Sequence, residues 1–273
     1  MGLLGLSTLD AERHEELQKD GKLLRLKGMT TDHESRRIRE RIALSLPVRV
    51  HSRETLNYEW TEMSRMVDVT PFGARLRLKR PTEIGRLLHL TTMMPRPLRC
   101  FDHVEDQYRV WSLVRNVKVL DPQKENGAVM EIGVAFVGKH PPHSFEDNPL
   151  RRYDIGKADS GLWTLQEGSA VSLFEIDDTD KRKETRHTIP VDVFIEVFSD
   201  QGAMGESEAT VTENISTAGA AVFTSLKIEP GRFVKVSSPQ HQRVVMAAVR
   251  SRHTGKDGIT RLHLEFIGSE WPL

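Results

Sequence analysis

The sequence predicts an all-β protein in which one small unit of short strands occurs twice. Apolar and polar residues alternate at period two in many short segments, and turn residues separate these segments at intervals of roughly ten residues. Segments with helical period are nearly absent inside either half. A polar motif, Arg-x-x-x-Arg followed by Asp/Asn-x-Ser/Thr-x-x-Gly, also occurs once in each half. Together these features are typical of barrels or sandwiches carried in duplicate.

The two copies of the polar motif have nearly the same spacing. The residues of the first copy are Arg37, Arg41, Asp68, Thr70 and Gly73. The residues of the second copy are Arg182, Arg186, Asn214, Ser216 and Gly219. The first arginine precedes the Asp or Asn by 31 positions in the first copy and by 32 in the second. Such agreement predicts one supersecondary unit with one polar constellation, built twice.

The first half reads as a polar tail over residues 1–34 and a β unit over residues 35–138. Alternating or β-rich segments of this half lie at 44–50, 74–79, 109–120 and 130–136. Pro47 marks an edge or the start of the first strand, since proline cannot donate to a ladder. The segment after Gly73 has a basic outer face, because its arginines and lysine alternate with apolar residues.

Residues 139–179 read as a connector with turn residues and a short helix. His140 and His143 flank two prolines, and no other candidate ligands lie nearby in sequence, so we interpret them as part of a polar linker and predict no metal site. Trp163 is a candidate for docking the connector onto a barrel.

The second half, residues 180–273, repeats the β pattern of the first. Its alternating or β-rich segments lie at 191–197, 220–226, 232–237, 244–250 and 261–267. Its closing segment places Leu262, Leu264 and Phe266 on one face, as expected for a half-buried strand.

The composition argues against two classes of function, nucleic-acid binding and membrane association. The chain has 273 residues, enough for two domains, and its 39 basic and 39 acidic residues give a net charge of +0. This balance argues against bulk nucleic-acid or membrane-surface binding, which needs a positive field. Cys100 is the single cysteine, and the sequence has neither a signal-peptide pattern nor an apolar stretch of membrane-spanning length. We therefore expect a cytoplasmic protein without membrane insertion.

The repeated motif predicts a site for a purine nucleotide that carries phosphates. Arginine pairs bidentately with phosphate oxygens and with the N7/O6 edge of guanine, and it stacks on purines. Asp68 or Asn214 can accept hydrogen bonds from the N–H edge of guanine, and Thr70 or Ser216 offers a hydroxyl. A glycine at the end of the turn permits positive φ or a close approach of ligand to backbone.

Both motifs together resemble the PilZ domain, a six-stranded bacterial barrel that binds cyclic di-GMP. The resemblance covers about residues 35–138 and 180–268. It includes Leu46-Pro47-Val48 and Ile189-Pro190-Val191 at the first strands, and a Gly133–Phe136 closing strand with Glu265-Phe266 as its counterpart. It implies two tandem six-stranded barrels, with ligand held by the arginines and turn residues of each motif. Thr70 stands where the family usually has Ser, and Asn214 is a common variant of Asp.

The residue before the arginine pair is Arg36 in the first copy and Lys181 in the second. In the family this position is thought to influence whether one ligand or a stacked pair binds. Arg36 adds a stacking plane and a further ligand contact, so we expect the first unit to take the stacked pair more readily.

The resemblance implies a non-catalytic cyclic di-GMP receptor that changes arm or interdomain conformation on binding. No nucleophile elbow, phosphate loop, zinc-protease helix or dinucleotide fingerprint is present, so we expect no enzyme and no cofactor beyond the ligand. The alternative is a ligand-independent protein-interaction barrel, although such PilZ-like domains usually lack the arginines. A barrel for RNA or single-stranded DNA ranks below both, because it needs aromatic platforms and a basic face.

Overall fold

A computed structural model describes residues 41–157, 163–167, 185–199 and 202–273. These residues belong to one compact unit that runs from Arg41 to Leu273. Within them the secondary structure is mostly strands, arranged in two closed six-stranded barrels and one two-stranded sheet. The prediction of an all-β protein with two barrels is confirmed.

The first barrel is formed by β1 to β6, with every neighbouring pair antiparallel. The strands are β1 Pro47–Arg53, β2 Glu59–Thr70, β3 Gly73–Leu78, β4 Leu87–Thr92, β5 Tyr108–Val119 and β6 Met130–Gly138. Their order around the barrel is β1-β2-β3-β6-β5-β4. Val48, Val50, Leu76 and Leu78 face inward and are fully buried, as the period-two pattern requires. Pro47 is the first residue of β1, where no ladder donor is lost.

The connector contains the expected short helix and also a hairpin that was not predicted. The helix α1 spans His143–Asp147, and the hairpin pairs β7 Tyr153–Lys157 with β8 Trp163–Glu167. Phe145 of α1 and Tyr153 of β7 are buried in a small apolar cluster with Leu87 and Leu113 of the first barrel. That cluster does not include Trp163, whose docking role stays a prediction.

The second barrel repeats the topology of the first. Its strands are β9 Asp192–Phe198, β10 Met204–Ile215, β11 Gly219–Phe223, β12 Phe233–Ser238, β13 Arg243–Thr254 and β14 Thr260–Ile267. Their order is β9-β10-β11-β14-β13-β12, which is the order of the first barrel strand for strand. The duplicated sequence pattern is therefore a duplicated fold.

A β-bulge in β10 explains why the motif spacing differs by one residue between the copies. Met204 pairs with Phe198 and Ser207 pairs with Glu196, so three steps along β10 oppose two along β9. In the first barrel β1 and β2 pair without any shift from Glu59 to Arg65. The extra residue of the second copy is absorbed there, before the strand reaches the motif turn.

The two barrels pack directly against each other through a shared apolar core. The main cluster of the first barrel includes five buried side chains of the second: Phe198, Phe233, Met246, Ala248 and Ile267. Buried charges surround this core. Arg232 Nε lies 3.1 Å from Glu54 Oε2, and Glu83 accepts from Arg250 and, at 2.8 Å, from Arg152 Nη2.

The interface is built from a second sequence repeat, Glu-x-Gly-Arg. It occurs as Glu83-Ile84-Gly85-Arg86 and as Glu229-Pro230-Gly231-Arg232, in the loops before β4 and β12. Gly85 and Gly231 both have a φ of 91°, a left-handed conformation that favours glycine. Arg86 is wholly buried and donates to the backbone oxygens of Glu54 (2.8 Å) and Pro149 (3.1 Å).

The buried carboxyls of this interface have shifted pKa values in opposite directions. Burial raises the pKa of Glu54 above its usual value, despite the nearby charge of Arg232 and the hydrogen bond from Trp60. Burial also acts to raise the pKa of Glu83, but the hydrogen bond and charge of Arg250, with Arg86 and Arg152, outweigh it and lower that pKa.

Two general features concern the described residues only. No helix among them is long and apolar enough to cross a membrane. They also contain no group of three or more His, Cys, Asp or Glu side chains placed to hold a metal ion.

Candidate functional site

In each barrel a short backbone bridge brings the end of the arginine arm to the motif turn. Ile42 pairs with Val69 through hydrogen bonds of 2.9 and 3.0 Å, and His187 pairs with Ile215 through bonds of 2.8 and 3.0 Å. Val69 and Ile215 each follow the Asp or Asn of the turn directly. The second arginine of each pair, one residue before the bridge, is therefore held beside that Asp or Asn.

In the first copy Asp68 is held by two arginines. Arg41 Nη1 lies 3.4 Å from Asp68 Oδ1, and Arg75 Nη2 lies 2.6 Å from Asp68 Oδ2. The carboxylate side chain is only 10% exposed. Arg75 faces Asp68 because the two are cross-strand partners on β2 and β3, next to a bulge at Val67.

The pair formed by Asp68 and Arg75 continues into a ladder of alternating charge. Arg75 Nη1 and Arg77 Nε lie 3.2 Å from the two oxygens of Glu131, and Arg77 also pairs with Glu125. Glu131 is therefore a second acceptor that keeps the Arg75 guanidinium in place.

In the second copy the corresponding residue is the neutral Asn214. Arg186 Nη1 donates to Asn214 Oδ1 at 3.0 Å. The cross-strand partner of Asn214 is Ala221, which is fully buried and offers no side-chain donor. The bulge before Asn214, at Glu213, matches the bulge before Asp68.

The hydroxyls of both motifs close the turn on itself. Thr70 Oγ1 donates to the backbone oxygen of Gly73 at 3.3 Å, and Ser216 Oγ donates to that of Gly219 at the same distance. The additional methyl of Thr70 therefore does not lengthen this hydrogen bond. The predicted ligand contact of these hydroxyls stays a prediction.

The glycines that end the turns are required by close packing of backbone on backbone. A Cβ added to Gly73 would lie 2.2 Å from the oxygen of Val134, and one added to Gly219 would lie 2.3 Å from the oxygen of Leu264. Neither glycine has positive φ, so that part of our expectation was wrong. The close approach is to the neighbouring closing strand, which no other residue type could tolerate at this distance.

The predicted site residues divide into two groups. The structure brings together, within each barrel, Arg41, Asp68, Thr70 and Gly73, and Arg186, Asn214, Ser216 and Gly219. Arg36, Arg37 and Arg182 lie outside the described residues, and so does Lys181. The expectation that the first unit takes a stacked ligand pair rests on Arg36 and stays a prediction.

Sequence reasoning missed two features of the molecule. Arg75 was assigned only to a basic outer face, although its place two residues after Gly73 puts it opposite Asp68 once the hairpin register is known. The Glu-x-Gly-Arg repeat was overlooked, although its copies are 146 positions apart, the same offset as Asp68 and Asn214.

Comparison with known proteins identifies a family over the second barrel. Residues 180–270 match the family model of the PilZ domain. No protein of curated function matches the chain in sequence.

Several solved structures align along most of the chain at low identity. Among them are a Bacillus subtilis inhibitor of motility, MotI/DgrA (17% identity, 82% of this chain and 88% of that chain, TM-score 0.26), and Borreliella burgdorferi PlzA in complex with c-di-GMP (10%, 86% and 89%, TM-score 0.26). Escherichia coli YcgR in complex with c-di-GMP aligns at 11% identity over 81% of this chain and 76% of that chain, with a TM-score of 0.26. At these scores the alignments carry no argument about this chain.

The family match covers the region in which the motif turn, the arginine arm and the six-stranded barrel had already been found. It confirms the predicted resemblance over the second barrel, because residues 180–270 match the PilZ domain.

Proposed function

We propose that this protein is a non-catalytic receptor for cyclic di-GMP. The observation that carries the proposal is the meeting of arm and turn in the second barrel, where the His187–Ile215 bridge sets Arg186 Nη1 3.0 Å from Asn214 Oδ1. One side chain is a forked cationic donor and the other is an acceptor for a guanine N–H edge. The match of this barrel to the PilZ domain supports the same function.

Binding would exchange partners at this contact. The guanine edge would donate to Asn214 Oδ1, and Arg186 would turn to a phosphate oxygen or to the N7/O6 edge of the base. Both groups keep a hydrogen-bond partner through the exchange, so neither is left unsatisfied. The same logic applies to Arg41 and Asp68 in the first barrel.

The output of the receptor would be a change in the arms. Ligand would fix each arm against its barrel and thereby alter the packing of the barrels or of a downstream protein partner. We expect amide hydrogen exchange at residues 34–43 and 180–188 to slow when cyclic di-GMP is added. Unchanged exchange, at saturating ligand, would refute the arm-ordering mechanism but not the binding itself.

The first test is calorimetric titration of the purified chain with cyclic di-GMP, with GMP and GTP as controls. We expect micromolar or tighter binding that is selective for cyclic di-GMP. The stoichiometry then separates one occupied barrel from two and a single ligand from a stacked pair. Absence of binding would refute the proposal and favour a ligand-independent protein-interaction barrel.

The proposal includes the setting inferred from sequence. We place the receptor in the bacterial cytoplasm, acting without a cofactor, a nucleic-acid partner or membrane insertion.

A further inference from the structure

The acceptor of the first motif is already occupied by the protein itself. Arg75 Nη2 lies 2.6 Å from Asp68 Oδ2, well inside hydrogen-bond distance. Arg41, the arginine of the motif, is farther away, at 3.4 and 3.5 Å from the two carboxylate oxygens. Among the described residues, the one that holds Asp68 most closely is therefore Arg75, which is not part of the motif.

A guanidinium is a chemical mimic of the guanine edge that the motif would recognise. Both groups are planar and present adjacent N–H donors that fit the two oxygens of a carboxylate. A ligand that donates to Asp68 must therefore displace Arg75 or share the carboxylate with it. Sharing is restricted, because Asp68 is nearly buried and Arg41 also lies on it.

Arg75 is held in its place from the other side as well. Its Nη1 lies 3.2 Å from Glu131 Oε1, and Glu131 is in turn held by Arg77. The Glu131 side chain is only 13% exposed and that of Arg75 is 39% exposed, so water screens this ion pair only from the side of the arginine. Displacement of Arg75 would leave it with one acceptor in place of two.

The second motif has no such competitor on the opposite strand. Ala221 occupies the position of Arg75, as the shared pairing with the motif residue shows. Asn214 also has no charge that would draw a further cation to it. Among the described residues, the side-chain hydrogen bond that a ligand would replace at Asn214 is that of Arg186, and Arg186 is itself a proposed ligand residue.

We propose that Arg75 is an affinity-determining residue of the first site, where its guanidinium occupies the Asp68 carboxylate in place of the ligand's guanine. The inference rests on the proposed function and adds an order of filling to it. Cyclic di-GMP binds the second barrel first, and it binds the first barrel only at concentrations high enough to displace Arg75.

The test measures first-site affinity in the full chain with the second site silenced by Arg182→Ala and Arg186→Ala. In that background Arg75→Ala is titrated calorimetrically with cyclic di-GMP. We expect the first site to bind about tenfold more tightly, since a hydrogen bond to a charged group no longer has to be broken. Arg75→Met, which keeps the apolar stem but has no donors, should give the same gain.

Arg77→Ala is the matched control, because Arg77 pairs with the same Glu131 but not with Asp68. We expect its first-site affinity to stay within about twofold of the background. Unchanged or weaker first-site binding in both Arg75 variants would overturn the inference, and so would an equal gain in Arg77→Ala.

Failure of the inference can be told from failure of the proposed function. Arg75→Ala alone, with the second site intact, should bind cyclic di-GMP at the second site with unaltered affinity, which also shows that the chain is folded. If the unaltered chain binds no cyclic di-GMP at either site, the receptor proposal itself is wrong. If the second site binds cyclic di-GMP and the Arg75 variants do not change first-site affinity, only the proposed competition by Arg75 is wrong.

Discussion

The two barrels share a backbone frame at the motif but differ in its charge. Both copies have a bulge before the Asp or Asn, one bridge to the arm, a hydroxyl 3.3 Å from the glycine oxygen, and a glycine against the closing strand. Yet Asp68 lies between two guanidinium groups, whereas Asn214 accepts from Arg186 and faces an alanine. The frame depends on sterics and main-chain hydrogen bonds, so side-chain charge can differ while the frame stays the same.

A second difference lies on the neighbouring strands, where the arginine is on the third strand of the first barrel but on the last strand of the second. In the first barrel Arg77 on β3 pairs with Glu131 on β6. At the same places in the second barrel, Phe223 lies on β11 and Arg261 on β14, with the guanidinium carbon 5.0 Å from the ring centroid. Only the arrangement in the first barrel is linked to the motif acceptor, because Glu131 also pairs with Arg75 and Arg75 pairs with Asp68.

The largest effect should come from the interface repeat, where equivalent glutamates have unequal surroundings. Glu83→Gln removes a buried carboxylate from Arg250 and Arg152, and we expect it to lower the unfolding free energy by about 3 kcal/mol. Glu229→Gln is the matched control, because Glu229 is exposed and accepts only a 3.4 Å hydrogen bond from Thr55. Urea denaturation measures both. Equal losses of unfolding free energy in the two variants would show that both loops stabilise the interface to the same extent.

The pH dependence of the same variant follows from the lowered pKa of Glu83. The stabilisation by its carboxylate is complete above the usual value of 4.5 and is lost as pH falls through the lower pKa of the folded state. The stability gap between the unaltered chain and Glu83→Gln should therefore narrow below pH 4.5. A gap that widens in acid would contradict the lowered pKa.

The motif glycines test whether the shared frame is equally strict in both barrels. Gly73→Ala and Gly219→Ala each place a methyl against a backbone oxygen, and we expect each to destabilise the chain by about 2–3 kcal/mol. Gly133→Ala on β6 is the control, since its added Cβ would meet Asn116 Cβ at an ordinary 3.6 Å. Thermal or urea unfolding compares the three. A harmless Gly219→Ala would mean that the second turn can relax.

The arginines beside the turns sharpen the comparison of binding. Arg186→Ala should weaken cyclic di-GMP binding at the second site by about 1–3 kcal/mol, which is roughly ten- to a hundredfold. Arg41→Ala should leave the second site nearly unchanged, because sites without shared partners act independently. Calorimetric titration of both variants measures this. If Arg41→Ala weakens the tighter site and Arg186→Ala leaves it unchanged, the order of filling is reversed.

The smallest effect concerns Arg261, the arginine on β14 of the second barrel. The hydrogen bond from Arg261, with that from the Ile259 backbone and the Arg261 charge, lowers the pKa of Asp257 to about 2. In Arg261→Ala we expect this pKa to rise towards its usual value of 3.8. Carboxyl chemical shifts followed by NMR measure the change. A pKa that stays near 2 would assign the shift to the turn backbone alone.

Sequence patterns predicted the β architecture and the motif because both depend on local order. Alternation at Val48, Val50, Leu76 and Leu78 is sufficient to place strands and their buried faces. The family resemblance supplied the strand number and the closure into barrels. The motif predicted that Arg41 and Asp68 belong to one site, although the bridge at Ile42 that brings them together has no sequence signature.

Other features could not be predicted because they depend on register and packing between distant segments. Arg75 reaches Asp68 only because a bulge at Val67 sets the pairing of β2 with β3. Gly73 does not have positive φ, and glycine is required there because the backbone oxygen of Val134, 61 residues away, leaves no room for a Cβ. The role of the Glu-x-Gly-Arg loops requires knowledge of which barrel faces meet.

Because the two barrels share an apolar core, we expect them to unfold together as one unit. Phe198, Phe233, Met246, Ala248 and Ile267 are buried within a cluster that mostly belongs to the first barrel. A first barrel expressed by itself would present the other half of that cluster to water, an apolar patch of the kind that drives aggregation. A protease that cuts within the connector should instead leave two halves that remain associated without a covalent link. One barrel is the unit that the sequence repeats, but we expect the pair of barrels to be the unit that folds.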